Sequence, residues 1–164
     1  PTRRSSDLIK PGMAVRDEKG AVVSCLGPSE AYQGEPGNEA SMILKLEYQR
    51  FSMLFTGDLE GAGEQDFLSG AYANGIYTVL KTAHHGSDGA TTDQFLEQNH
   101  ADVALISAGK DNPYGHPGEK LINRLKKADM KIFCTKDTGA VTIRSDGKQM
   151  WIERFSGAGG NETG

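Results

Sequence analysis

The sequence predicts an α/β chain built on mixed β-sheets, and three observations carry that reading. Strand-like alternation recurs between segments of helical periodicity from Ala21 to Phe155. Two strands are joined by a two-residue turn, which demands antiparallel pairing and argues against a purely parallel, doubly wound sheet. A continuous apolar run at residues 103–107 reads as a central strand buried on both faces.

In chain order, residues 21–26 form a short strand closed by Gly27-Pro28, and the Gly-, Glu- and Pro-bearing stretch 29–38 reads as loop. Met42, Leu44, Leu46 and Tyr48 alternate with other side chains, Gln49-Arg50 can turn, and Phe51, Met53 and Phe55 alternate again. This predicts a hairpin ending at Thr56-Gly57, with Asp58 just past it. Residues 60–73 place Phe67, Leu68, Ala71 and Tyr72 at helical spacing, with Asn74-Gly75 as a stop. Residues 76–82 form the next strand, which runs into Ala83-His84-His85-Gly86-Ser87. Thr91 with Gln94 matches a capping box and predicts a short helix through Gln98. After the 103–107 strand, Pro117 stands at a helix start, and Leu121, Ile122, Leu125 and Ala128 share one stripe of an amphipathic helix over about 118–128. Strands at 131–134, 140–144 and 150–155 close the chain, separated by Gly-containing turns. No internal repeat and no second domain is visible.

Composition narrows the function classes. The chain has 164 residues, 37% of them hydrophobic, with 21 Gly, an ordinary globular content. Eighteen Lys+Arg against 22 Asp+Glu leave a net charge of -4, so there is no global basic field for non-specific nucleic-acid binding. Lys120, Lys126 and Lys127 read as the solvated face of a helix, and no basic stripe with interleaved aromatics occurs. No run approaches the roughly 18 apolar residues of a membrane span. Two cysteines without a Cys-x-x-Cys are too few for a disulfide scaffold and leave the redox compartment undecided. Residues 1–8 resemble one translation frame of a common sequencing adapter and are set aside from the fold. The expectation is a truncated reading frame whose natural sequence continues upstream of Ile9; the alternative is a basic leader. Residues 156–164 read as a flexible Gly-rich tail.

Three polar clusters follow predicted strands: Thr56-Gly57-Asp58, His84-His85-Gly86-Ser87, and Asn112-Pro113-Tyr114-Gly115-His116-Pro117. Loops at strand ends converge on one face, where a carboxylate and imidazoles could hold a divalent metal such as zinc. Each cluster alone has a plainer reading. Asp58 could be a helix cap, the His84-His85 pair one core ring and one exposed ring, and His116 a turn residue. His100 lacks polar companions and reads as surface.

Taken in order, Asn38-Glu39-Ala40-Ser41, Phe55-Thr56-Gly57-Asp58-Leu59, Leu80-Lys81-Thr82-Ala83-His84-His85-Gly86-Ser87, Ile106-Ser107-Ala108-Gly109 and the 112–117 cluster resemble the metallo-β-lactamase-fold domain of the ComEC competence protein family. The resemblance runs from about Gly20 to Phe155. It implies the C-terminal half of an αββα sandwich, in which two mixed sheets lie between helices. It also implies a zinc site of two ions in the complete domain, with Asp58 as bridging carboxylate. One His of the pair would be a ligand, with His85 favoured, and His84 would contact the phosphate or leaving group. His116 and Asn112 would lie near the substrate, His116 in a transition-state or general-acid role, and Ser87 would support the His loop.

Enzymes of this fold carry a His-x-His-x-Asp-His motif and a further His ahead of the Thr-Gly-Asp segment, whereas no His precedes Asp58 here. The expectation is therefore a partial domain over residues 9–155, inactive and weak in metal binding by itself, whose missing upstream half would cover one of its faces. The parent protein is expected to be a phosphodiesterase or nuclease-like hydrolase linked to DNA uptake. DNA or another phosphodiester would be its substrate, and the domain would be anchored outside a bacterial membrane or secreted. The alternatives are a module without catalysis that binds or supports, and a freestanding secreted hydrolase of another ester.

Overall fold

The computed structural model describes residues 9–34 and 36–155, so the readings of residues 1–8 as adapter and 156–164 as tail lie outside the described residues. Seven strands form one sheet in chain order: β1 (Ala14–Arg16), β2 (Val22–Gly27), β3 (Ile43–Tyr48), β4 (Phe51–Phe55), β5 (Gly75–Lys81), β6 (Asn99–Ile106) and β7 (Lys131–Cys134). The first four pair antiparallel with one another, and β4 through β7 pair parallel. The sheet is mixed, as the sequence predicts. The change of pairing at β4 follows from connection length, because a two-residue turn can only reverse the chain whereas a parallel neighbour requires a crossover.

Those crossovers carry α1 (Gly61–Ser69), α2 (Asp93–Gln98) and α3 (Glu119–Lys127). Crossovers of one hand that step in one direction across a sheet place their helices on the same face. Phe67, Leu68, Phe95, Leu96, Leu121 and Leu125 of these helices accordingly form one buried cluster with Leu54, Leu80, Ala104 and Ile106 of the strands. A separate antiparallel ribbon, β8 (Ala140–Ser145) with β9 (Met150–Phe155), lies against the opposite face. There Ile143, Met150 and Ile152 pack on Phe51, Met53, Val79 and Val103. Central strands are thus covered on both sides, which is why residues 103–107 read as an unbroken apolar run. The ribbon does not reach the β1–β2 end of its face, where the cross-strand partners Val15 and Val23 remain 69% and 39% exposed.

Several boundaries differ from the sequence reading. α1 ends at Ser69 because Gly70 takes an extended conformation (φ −87°, ψ −179°), so Ala71 and Tyr72 are not on a helical stripe. The cap of α2 is Thr92, whose hydroxyl accepts from the Phe95 amide at 3.2 Å. Thr91 is left-handed (φ 51°), and its hydroxyl accepts from the Ala83 amide instead. β6 begins at Asn99, placing the exposed His100 on a strand. β1 and α4 (Thr135–Thr138), three and four residues long, are too short to show periodicity and were not foreseen.

The buried carboxylate of Glu64 on α1 decides how the segment after β5 is held. It accepts from the Thr91 amide (2.7 Å) and from the amide and hydroxyl of Thr92. From the other side, the guanidinium of Arg124 donates to the carbonyls of Asp88, Ala90 and Thr91. The Asp88 carboxylate in turn accepts from the Leu121 amide in the first turn of α3 (3.1 Å). Charge-assisted bonds of this kind are about twice as strong as neutral ones, so the loop carrying the histidine pair is clamped between two helices.

Candidate functional site

β4, β5 and β6 are parallel neighbours, so their C-terminal ends open onto the same sheet edge, the usual place for a ligand site in an open α/β sheet. Asp58 follows β4, the histidine pair follows β5, and the 107–117 loop follows β6. Gly57 is left-handed (φ 55°), and the Asp58 amide donates to the Ser41 hydroxyl at 3.1 Å. The His84 amide donates to the Gly57 carbonyl at 3.0 Å, stitching the first two loops together.

His84, His85 and Gly86 are all left-handed, with φ of 45°, 53° and 87°. Non-glycine residues take this conformation at a cost of roughly 1–3 kcal/mol each, and only where the surroundings impose it. Here the imposing contacts are the Ala83–Gly86, His84–Ser87 and Gly86–Gly118 backbone bonds. Gly86 is obligatory on steric grounds too, since a β-carbon there would lie 2.8 Å from Cβ of Pro117.

Each imidazole is oriented by an acceptor. His85 donates from Nδ1 to the Ser107 carbonyl at 2.9 Å, and its Nε2 lies 3.7 Å from Oδ1 of Asp58. His84 Nδ1 lies 2.9 Å from Oε2 of Glu60. Asn38 donates to Oε1 of the same carboxylate at 2.9 Å. Burial acts to raise the Glu60 pKa, but the hydrogen bonds from Asn38 and His84 and the charges of His84 and His116 outweigh it, holding the pKa below the ordinary glutamate value. An ionised carboxylate can only accept, so His84 Nδ1 carries a proton, while the Asn38 side-chain amide lies 3.5 Å from Nε2. A ring N–H given to a carboxylate or carbonyl is the arrangement of metal-ligating and proton-handling histidines.

The ring of His116 meets that of His84 edge-on at 5.7 Å, and the His84 and His85 rings are 6.2 Å apart. The structure therefore brings Asp58, His85, His84 and His116 together in one chain of contacts. Asn112 is used differently: its amide donates to the Gly109 and His116 carbonyls, and its oxygen accepts from the His116 amide. It braces the loop that presents His116. Ser87 accepts from the Gly89 amide at 3.2 Å and so supports the His loop locally.

Three residues at the site were not singled out from sequence as functional: Glu60, Asn38 and Lys81. Glu60 had a signal in its position two residues after Asp58, and Lys81 in being the one charge at the end of an apolar strand. Lys81 donates to the Thr82 carbonyl at 2.7 Å; burial pushes its pKa down, while the charge of Asp58 acts to raise it. As a metal site, an Asp oxygen and a bare imidazole nitrogen suit zinc. Among the described residues, however, no three His, Cys, Asp or Glu side chains group as potential ligands. A catalytic zinc takes three protein ligands, so these residues alone do not complete the implied site.

No protein-family model matches the chain. It is 34% identical over 132 residues to "ComE operon protein 3" of Bacillus subtilis, a match covering 80% of this chain and 16% of that protein. It is 34% identical over 117 residues to "Competence protein ComA" of Neisseria gonorrhoeae, covering 71% and 17% of the two chains. It is likewise 34% identical over 106 residues to "Recombination protein 2" of Haemophilus influenzae, covering 65% and 13%. The chain thus spans about a sixth of the length of the curated relatives it matches.

Proposed function

Similar over most of its length to competence proteins of the ComEC type, this chain is, we propose, one segment of a metal-dependent phosphodiesterase that works in DNA uptake and has the metallo-β-lactamase architecture. The observation that carries this reading is the approach of Asp58 and His85 to 3.7 Å at the ends of neighbouring parallel strands. Strand ends hold such donors rigidly, and an oxygen beside a bare imidazole nitrogen is a donor pair for a hard or borderline divalent ion such as zinc. The layering of helices, mixed sheet and ribbon supports assignment to one half of an αββα sandwich. Donors from outside this chain would complete the metal site.

In that centre Asp58 and His85 bind. His84, held through Nδ1 by Glu60 and in ring contact with His116, handles the proton in this reading. Asn112 keeps the His116 loop in place. No helix among the described residues is long and apolar enough to cross a membrane. Membrane anchorage of the whole protein, with this domain outside the cytoplasm, or its secretion, belongs to the proposal.

The test is made on the longer natural protein containing this segment, with zinc stoichiometry and single-stranded DNA hydrolysis as readouts. Asp58→Ala and His85→Ala are each expected to lower bound zinc and to cut hydrolysis by 100-fold or more, equivalent to about 3 kcal/mol. Unchanged stoichiometry and rate in both variants would overturn the assignment. That no three potential metal ligands group among the described residues favours a second reading, a module that binds or supports without cutting. That reading stands instead if the longer protein binds its target but holds no metal and hydrolyses nothing.

A further inference from the structure

The loop after β6 builds an apolar wall beside the donor pair that the chemistry proposed above does not use. A cleft of about 230 Å³ runs from His85 to Tyr114, with Ala108, Gly109 and Pro113 as its apolar lining and His116 on its flank. Tyr114 is 79% exposed, so its ring is not there to fill the core. It lies nearly parallel to the His116 ring, 19° between planes and 5.9 Å between centroids. The Asn112 side chain braces the loop with bonds to Gly109 and His116 at its two ends.

We propose that this cleft is a stacking subsite for one unpaired nucleobase of a strand whose phosphodiester lies at Asp58 and His85. The proposal rests on the phosphodiesterase reading above and adds how the substrate is gripped. Size is the first argument: pockets for whole drug-sized ligands run to roughly 300–1,000 Å³, and this one has room for a single flat ring. Chemistry is the second. The exposed lining is mostly apolar, with His85, Asn112 and His116 as its polar members, and it carries no Lys or Arg, which suits a base better than a phosphate. Continuity is the third, since His85 belongs to both the cleft and the donor pair, so a ring seated there lies next to the reacting group. Stacking on Tyr114 needs no base-specific hydrogen bond and tolerates every base, consistent with a chain that has no basic stripe.

The experiment measures binding of a short single-stranded oligodeoxynucleotide to the 164-residue chain in the presence of a chelator, by NMR titration. A strand of the same length with abasic positions serves as the comparison. Expected are shifts centred on His85, Tyr114, His116 and the 108–113 backbone, and about ten-fold weaker binding of the abasic strand and of Tyr114→Ala. Tyr114→Phe and Tyr114→Trp retain affinity. Equal binding of abasic and intact strands, or an unchanged affinity in Tyr114→Ala, overturns the subsite, as does occupation of the cleft by a second copy of the chain. Because metal is absent and hydrolysis is not read, failure here leaves the phosphodiesterase reading standing. Loss of metal and activity in the longer protein would likewise leave a demonstrated base subsite intact.

Discussion

Glu60 shows how much of the site rests on single side chains. Its carboxylate ties Asn38 and His84 into one arrangement, and its pKa lies below the usual value of 4.5. A carboxylate with a depressed folded-state pKa contributes stability that is fully present above its unfolded value and is lost as pH falls through its folded value. Glu60→Gln is therefore expected to flatten the acid limb of a plot of urea midpoint against pH below about 4.5, while the limb above it stays parallel to that of the parent chain. Identical acid limbs would show that Glu60 carries no such linkage. At this scale the sequence showed Asp58, His84, His85 and His116 because their residue types are unusual at strand ends. Glu60 and Asn38 stayed hidden because a glutamate before a helix and an asparagine in a turn are ordinary there. Only their distances to His84 separate them from solvent-facing polar residues.

Helix α1 sits on the Asn38–Ala40 turn closely enough that a β-carbon at Gly63 would lie 1.8 Å from the Glu39 carbonyl oxygen. The Ala62 amide also donates to the Glu39 carboxylate at 3.3 Å. Gly63→Ala must push the helix off the turn, with an expected loss of about 1–3 kcal/mol in denaturant unfolding, typical of overpacking. Because Asn38 rides on that turn, the His84 ring signals should move as well; a stable variant with unshifted His84 signals would contradict this coupling. The hairpin of β3 and β4, the strand β7 and the amphipathic α3 were legible because period and turn residues agree there. The end of α1 was not, since Ala71 and Tyr72 continue the apolar period past a glycine that leaves the helix. Nor was the Thr92 cap: the Thr91–Gln94 spacing favours Thr91, whereas in the structure the Glu64 carboxylate accepts from both amides but from the hydroxyl of Thr92 alone.

Across the whole molecule, a single mixed sheet carries helices on one face and a two-stranded ribbon on the other, with the candidate site at the edge where the parallel strands end. With two donors in place, zinc should stabilise this chain little. At a total zinc concentration of about 100 μM its Tm is expected to rise by less than about 2 °C, since stabilisation grows only as the logarithm of ligand concentration over Kd. A rise of 10 °C that vanishes in Asp58→Ala would reveal further ligands among these residues and overturn the two-donor count. The sequence by itself determined the alternation of strands and helices, the mixed pairing and the candidate residues Asp58, His84, His85 and His116, because those depend on local period and on residue type. Only the tertiary structure decided which acceptors orient His84 and His85, which carboxylate holds each loop, and that Tyr114 walls a cleft beside His85. Such choices depend on side chains up to 46 residues apart in sequence, as with Asn38 and His84, and no local pattern encodes a distance across a sheet edge.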